Sequence, residues 1–241
     1  MLRKSMLEGY FFCPQQFKKV YMDGSEVEDN YVMSTGTRFH DFAFWFFDVC
    51  QALPCERWIE LAPKNFCTYE KNMATWFIKN ETNRFIECNF NYSEFLPVHR
   101  EIYLEDPIMG LYGTLDRMDY HKGALCTVEY KTGASFHKPS ITRQLSFYKL
   151  IYDNTINYGE VKYLKYINPR LGVEKILEFT EQMKDDLIYD IAHLRNAIKT
   201  NNFPRKCFDK KLFICNKCGY AESGVFKYYE DTDWDYPDGE D

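Results

Sequence analysis

Apolar residues fall at helical spacing in the first third of the chain and at alternating spacing in the middle. Leu7, Tyr10, Phe11, Phe17, Val20 and Tyr21 predict a short helical region over residues 5–22, broken at Cys13-Pro14 because proline disfavours helical backbone at the residue before it. A polar loop follows over 23–30. Residues 35–53 then read as a strongly apolar helix with Phe39, Phe42, Ala43, Phe46 and Phe47 as its buried stripe and His40 one position off it. Met73, Trp76, Phe77 and Phe85 predict another helix over 69–90, and residues 98–104 alternate as a first strand.

Two further strands are expected at 111–118 and 125–131, joined by a tight turn at Lys122-Gly123. If that turn is a two-residue loop, His121 pairs with Ala124, and counting outward sets Asp116 opposite Glu129 on one face, with Lys131 on the same face. A bulged turn would slip the register by one. Beyond the hairpin, Lys138-Pro139-Ser140 signals a helix start, with Gln144 and Tyr148 one turn apart on one face. Alternation around Val161, Tyr163 and Tyr166 predicts a strand over 160–168, and 172–179 supplies its partner across Pro169-Arg170-Leu171. Met183, Leu187, Ile191, Leu194 and Ile198 make 181–200 a long amphipathic helix. The expected fold class is α/β: a mixed central sheet of four or five strands flanked by helices, with a helical N-terminal third.

The hairpin carries the chemistry. Carboxylates directly opposed on neighbouring strands repel one another unless a cation lies between them. Their hard oxygens suit Mg²⁺ or Mn²⁺, and an ammonium two residues along can orient a metal-bound water or offset charge developing on a phosphate. Taken alone, the same residues also fit a surface ion pair, Tyr148 also fits a core position, and a single histidine on an apolar helix also fits a structural role.

The series Gly113-x-x-Asp116-Arg117, Glu129-Tyr130-Lys131-Thr132-Gly133 and Gln144-Leu145-x-x-Tyr148 resembles the PD-(D/E)XK nucleases of the RecB-like branch, which includes CRISPR-associated and phage exonucleases. Gly36-Thr37-Arg38-Phe39-His40 resembles the histidine motif that this branch carries on an early helix. The resemblance implies a restriction-endonuclease-like fold and metal-dependent cleavage of DNA. It makes Asp116, Glu129, His40 and the Tyr130 backbone carbonyl ligands of Mg²⁺ or Mn²⁺. Lys131 becomes the catalytic lysine, and Gln144 and Tyr148 the helix pair that meets substrate near the metal.

Composition adjusts this picture in three ways. With 241 residues, 45% hydrophobic, and no linker that forces a split, the chain is expected to form one nuclease domain over 1–229. Aromatics reach 18%, including 19 Tyr and 20 Phe; most are expected in the core, with a surplus able to stack on bases. The net charge of −6 sits in the tail: residues 230–241 hold seven acids and no Lys or Arg, so the remainder carries +1. A near-neutral body can bind DNA through a local basic groove and its metal ions, and the tail is expected to be solvated. No secretory signal and no long apolar run are evident, so a cytoplasmic protein without a membrane segment is expected.

Nine cysteines without a secretory signal argue against a disulfide framework. Cys50, Cys55, Cys67, Cys88 and Cys126 sit singly on apolar segments and read as buried thiols. Cys215-Asn216-Lys217-Cys218 is a knuckle that points two thiolates at one metal, with Cys207 nearby. In RecB-like nucleases with iron-sulfur clusters the fourth ligand lies near the N-terminus in a Tyr-x-x-Cys-Pro context, which Tyr10 to Pro14 matches. Cys13, Cys207, Cys215 and Cys218 are therefore expected to hold a 4Fe-4S cluster, with structural Zn²⁺ as the alternative. The functional expectation is a DNA exonuclease acting on single strands or free ends. A site-specific endonuclease and a catalytically silent DNA-binding or scaffold subunit are the alternatives.

Overall fold

The computed structural model describes residues 1–24, 31–134, 137–156 and 158–204. Contacts divide the chain into two compact units, one formed by residues 31–184 and the other joining the N-terminal segment to residues from 185 onward.

The second unit begins with a short strand β1 (Leu2–Arg3) and helix α1 (Lys4–Phe12). Cys13 is extended, with φ −155°, and helix α2 (Pro14–Phe17) and a π-helical turn (Lys18–Met22) follow, so the expected break at Cys13-Pro14 is observed. Proline at the first helical position lacks only an N–H that would go unpaired there. Within this unit Tyr10 Oη lies 3.1 Å from His193 Nδ1, and the Phe17 and Phe203 rings stack at 5.7 Å.

The first unit opens with α3 (Tyr31–Val49), four residues earlier than the apolar stripe suggests, and passes through 3-10 turns at Cys50–Ala52 and Cys55–Leu61. Helix α4 (Thr68–Glu87) starts with a capping box in which Glu70 accepts from the Cys67 N–H at 3.0 Å. Glu70 also pairs with Arg38 and so ties α4 to α3. After a single turn, α5 (Tyr92–Phe95), come β2 (His99–Asp106), β3 (Leu111–His121), β4 (Ala124–Tyr130), α6 (Lys138–Thr155), β5 (Val161–Asn168), β6 (Val173–Glu178) and α7 (Glu181–Thr200). The last helix starts in this unit and continues into the other.

Five strands make the sheet of this unit in the order β2-β3-β4-β5-β6. Neighbours are antiparallel except β4 and β5, which are parallel because α6 carries the chain back across the sheet. The mixed sheet flanked by helices is the α/β architecture that the sequence predicts. One face carries an aromatic core in which Phe39, Phe42, Phe46 and Phe47 of α3 and Met73, Phe77 and Phe85 of α4 meet Val128, Tyr130 and Ile167 of the sheet. The other face packs Ile141 and Leu145 of α6 on Leu164 and Tyr166 of β5. Strand alternation thus sends Val128 and Tyr130 into one layer and the intervening Glu129 toward the other.

Sequence periodicity did not predict the turn around Trp58. This residue is fully buried, donates from Nε1 to the Cys50 carbonyl at 2.7 Å and stacks on Phe95 at 5.3 Å. A single tryptophan in a 3-10 turn has no period to detect.

Candidate metal centre

The β3–β4 hairpin fixes the site's geometry. Lys122 and Gly123 have φ of +49° and +78°, the left-handed pair that a two-residue hairpin loop requires, and His121 pairs with Ala124. The ladder keeps that register as far as Arg117 and Val128. One step on, where Asp116 comes across from Glu129, the Tyr130 N–H donates to Asp116 Oδ2 at 2.7 Å. A side-chain carboxylate therefore takes a donor that antiparallel pairing would send to a strand carbonyl. Glu129 is buried, and its Oε1 accepts from Lys131 Nζ at 2.6 Å. The ammonium thus stands in for the cation that opposed carboxylates demand.

Helix α3 brings His40 to the same place. Its Nδ1 lies 3.6 Å from Asp116 Oδ1 and 3.9 Å from Glu101 Oε1. Two glycines leave room for close contacts around the site. A Cβ at Gly36, one turn before His40, would lie 3.2 Å from Thr132 Oγ1, just past β4. A Cβ at Gly113 would lie 3.0 Å from Cε1 of Tyr148. The segment after Lys131 is held by Tyr69, whose hydroxyl donates to the Thr132 carbonyl at 3.2 Å, and by Asn168, whose Nδ2 donates to the Gly133 carbonyl at 2.9 Å.

Charge at His40 follows from these neighbours. Burial opposes protonation, but hydrogen bonding to Glu101 and the charges of Asp116, Glu129 and Glu101 together outweigh it and raise the pKa above 6.5. The imidazole thus lies in the field of three carboxylates.

Glu101 escaped the sequence reading. It lies on β2 where the register, His99 with Met118 and Ile102 with Leu115, sets it opposite Asp116, yet no pair forms there. Its φ is +47°, in the left-handed region that costs a non-glycine residue about 1–3 kcal/mol. His40, Glu101 and Asp116 each offer a ligand atom within 4.8 Å of the others. Counting back from Asp116 would have found Glu101 only if the β2–β3 turn had been known. That turn is set by Asp106, whose Oδ1 accepts from the Ile108 and Met109 N–H groups at 3.0 and 2.8 Å.

Behind the carboxylates, on the opposite face of the sheet, lies a buried charge network. Arg117 donates to Glu81 at 2.7 Å, to Asp119 at 2.7 Å and to the Tyr130 hydroxyl at 2.8 Å. Arg84 donates to Glu81 at 2.7 Å. The Tyr130 side chain is thus anchored in the core while its backbone N–H holds Asp116.

Other expected site residues lie as follows. Gln144 and Tyr148 share a face of α6 and are both buried, Tyr148 to 2% exposure against Gly113. Gln144 Nε2 donates to Ser140 Oγ at 3.0 Å, and its Oε1 has no hydrogen-bond partner among the described residues. Cys13 is half-buried with a free thiol. Cys207, Cys215 and Cys218, the lysines around them and the acidic tail lie outside the described residues. Among the described residues no helix is long and apolar enough to cross a membrane.

The donor set fits a hard divalent cation: one imidazole nitrogen and carboxylate oxygens, with no cysteine in the group. No curated relative matches the chain. The family model described as the PD-(D/E)XK nuclease superfamily matches residues 4–223, nearly the whole chain. With the carboxylates, lysine and histidine assembled on a mixed sheet between helices, this chain belongs to the PD-(D/E)XK nuclease superfamily.

Proposed function

We propose that the protein is a Mg²⁺- or Mn²⁺-dependent deoxyribonuclease, acting as an exonuclease on single strands or free DNA ends. The observation that carries the reading is the meeting of His40 and Asp116 at 3.6 Å beside the Glu129–Lys131 pair. His40, Asp116, Glu129 and the Tyr130 carbonyl would hold the cation, which when bound lowers the pKa of a coordinated water and polarises the phosphate.

The chain's own residues supply the remainder. To take the cation, Glu129 would exchange its Lys131 bond, which would free the ammonium to face the attacking water and the phosphate and offset developing negative charge. Asp116 keeps its orientation through the Tyr130 N–H. Gln144 Oε1, without a hydrogen-bond partner among the described residues, supports a contact from α6 to substrate or its water. A silent DNA-binding or scaffold subunit has no use for Asp116, Glu129 and Lys131 kept in one place.

The cluster reading for Cys13, Cys207, Cys215 and Cys218 draws support from the second unit, where Phe17, four residues after Cys13, stacks on Phe203, four residues before Cys207. A 4Fe-4S cluster there would be structural, since phosphodiester hydrolysis moves no electron. Elemental analysis separates iron near four per chain from zinc near one.

Incubation with end-labelled linear DNA and with closed circular DNA, each with and without Mn²⁺, tests the main reading. Progressive loss of linear ends with intact circles is expected. Cleavage of circles assigns an endonuclease instead, and no cleavage of either leaves the silent-subunit reading.

A further inference from the structure

We propose that Glu101 is a ligand of the catalytic cation, binding it together with His40 and Asp116. The proposal rests on the nuclease reading above for the metal itself and adds a residue that the family motifs do not include.

Three observations converge. First, the sheet sets Glu101, Asp116 and Glu129 in one row across three adjacent strands, with Asp116 in the middle. Glu129 pairs with Lys131, whereas among the described residues no lysine or arginine pairs with Glu101, whose neighbour is His40. Second, the distances suit a shared ion. Ligands about 2.1 Å from one Mg²⁺ in octahedral array lie about 3.0 Å apart when adjacent and about 4.2 Å when opposite. His40 Nδ1 is 3.6 Å from Asp116 Oδ1 and 3.9 Å from Glu101 Oε1, inside that span.

Third, the backbone at Glu101 is bent to this end. Left-handed φ at Glu101 interrupts the β2–β3 ladder at one residue, and the pairs on either side, Arg100 with Arg117 and Ile102 with Leu115, keep the register. A regular strand would pair Glu101 with Asp116 directly. The interruption instead leaves the carboxylate with His40 at the rim of the cleft, where Arg100 and Phe44 also lie. The Arg100 guanidinium is committed elsewhere, donating to the Phe44 carbonyl at 2.6 Å and to Asp48 at 2.7 Å.

The test measures Mn²⁺ binding by the electron paramagnetic resonance of free Mn²⁺, with DNA cleavage recorded in parallel, for the wild type, Glu101→Gln and Glu101→Gly. A ligand's loss should weaken Mn²⁺ binding by at least the roughly 10–100-fold that outer-shell losses cost. Glu101→Gly should show the same loss with a melting temperature in chelator equal to or above the wild type, because glycine accepts left-handed backbone without strain. Mn²⁺ affinity within twofold of the wild type in both variants overturns the proposal. Weaker binding only in a variant whose chelated form melts lower also overturns it, since that pattern marks a structural residue. Wild-type protein that binds Mn²⁺ but cleaves no DNA defeats the nuclease reading alone and leaves the Glu101 comparison intact.

Discussion

The Tyr130 N–H donates to Asp116 Oδ2 at 2.7 Å, so the carboxylate that lies 3.6 Å from His40 Nδ1 also terminates a strand ladder. These two duties separate under mutation. Asp116→Asn keeps an acceptor for the Tyr130 N–H and should fold with little change in melting temperature while losing metal affinity and cleavage. Asp116→Ala leaves that buried N–H unsatisfied and should cost about 1–3 kcal/mol in addition. Thermal melts of the two variants in chelator check the difference.

Lys131 and Glu129, joined at 2.6 Å, predict a split between binding and catalysis. Lys131→Ala should reduce cleavage by roughly 10²–10³-fold, the scale of losing one group that stabilises developing charge. Mn²⁺ affinity should stay level or rise, because Glu129 no longer has to exchange an ammonium for the cation. Calorimetric titration with Mn²⁺ beside a rate assay reads both quantities.

The network behind the site governs the response to acid. Burial opposes ionisation of Glu81 and Asp119, yet Arg117 and Arg84 outweigh it and hold both pKa values below the ordinary carboxylate range. Groups with depressed folded values contribute stability that is present above the unfolded pKa, about 4, and lost as pH falls through the lower folded one. Stability from this pair should therefore persist from pH 7 to about pH 4 and fail below. Arg117→Ala leaves two buried carboxylates with Arg84 as their remaining arginine and should cost about 3–5 kcal/mol at pH 7. Its stability should then rise as pH is lowered toward 5, the reverse of the wild type, in denaturant titrations across that range.

Burial raises the Cys50 thiol to about 11 and the Cys126 thiol to about 12. Neither holds appreciable thiolate at pH 8, so both should resist iodoacetamide in the folded protein and react on unfolding. Cys67, expected from the sequence to be a buried thiol, is instead exposed and should be alkylated in the folded state. Peptide mapping by mass spectrometry checks each position.

Local signals made the hairpin legible in the sequence. Lys122-Gly123 allowed a two-residue loop, and alternation from that turn located Asp116, Glu129 and Lys131 with their register. His40 was legible through its motif, and the structure supplies a reason for Gly36: a Cβ there would crowd the Thr132 hydroxyl at 3.2 Å. Glu101 was not legible, because its role depends on a ladder interruption that no residue preference signals. Glu81, Arg84, Arg117 and Asp119 were not legible as a buried network, because no spacing in the sequence links the helix to the strand. They are buried because each finds its opposite charge in the facing layer, a relation between residues up to 36 positions apart.

The central claim is that Asp116 anchors a cation which cleaves phosphodiester bonds. It is tested most directly by measuring release of label from end-labelled single-stranded DNA in Mn²⁺ for the wild type and for Asp116→Asn prepared identically. The account predicts Mn²⁺-dependent release by the wild type, none in chelator, and a loss of at least about 10³-fold in the folded variant. Equal release by both proteins would contradict it.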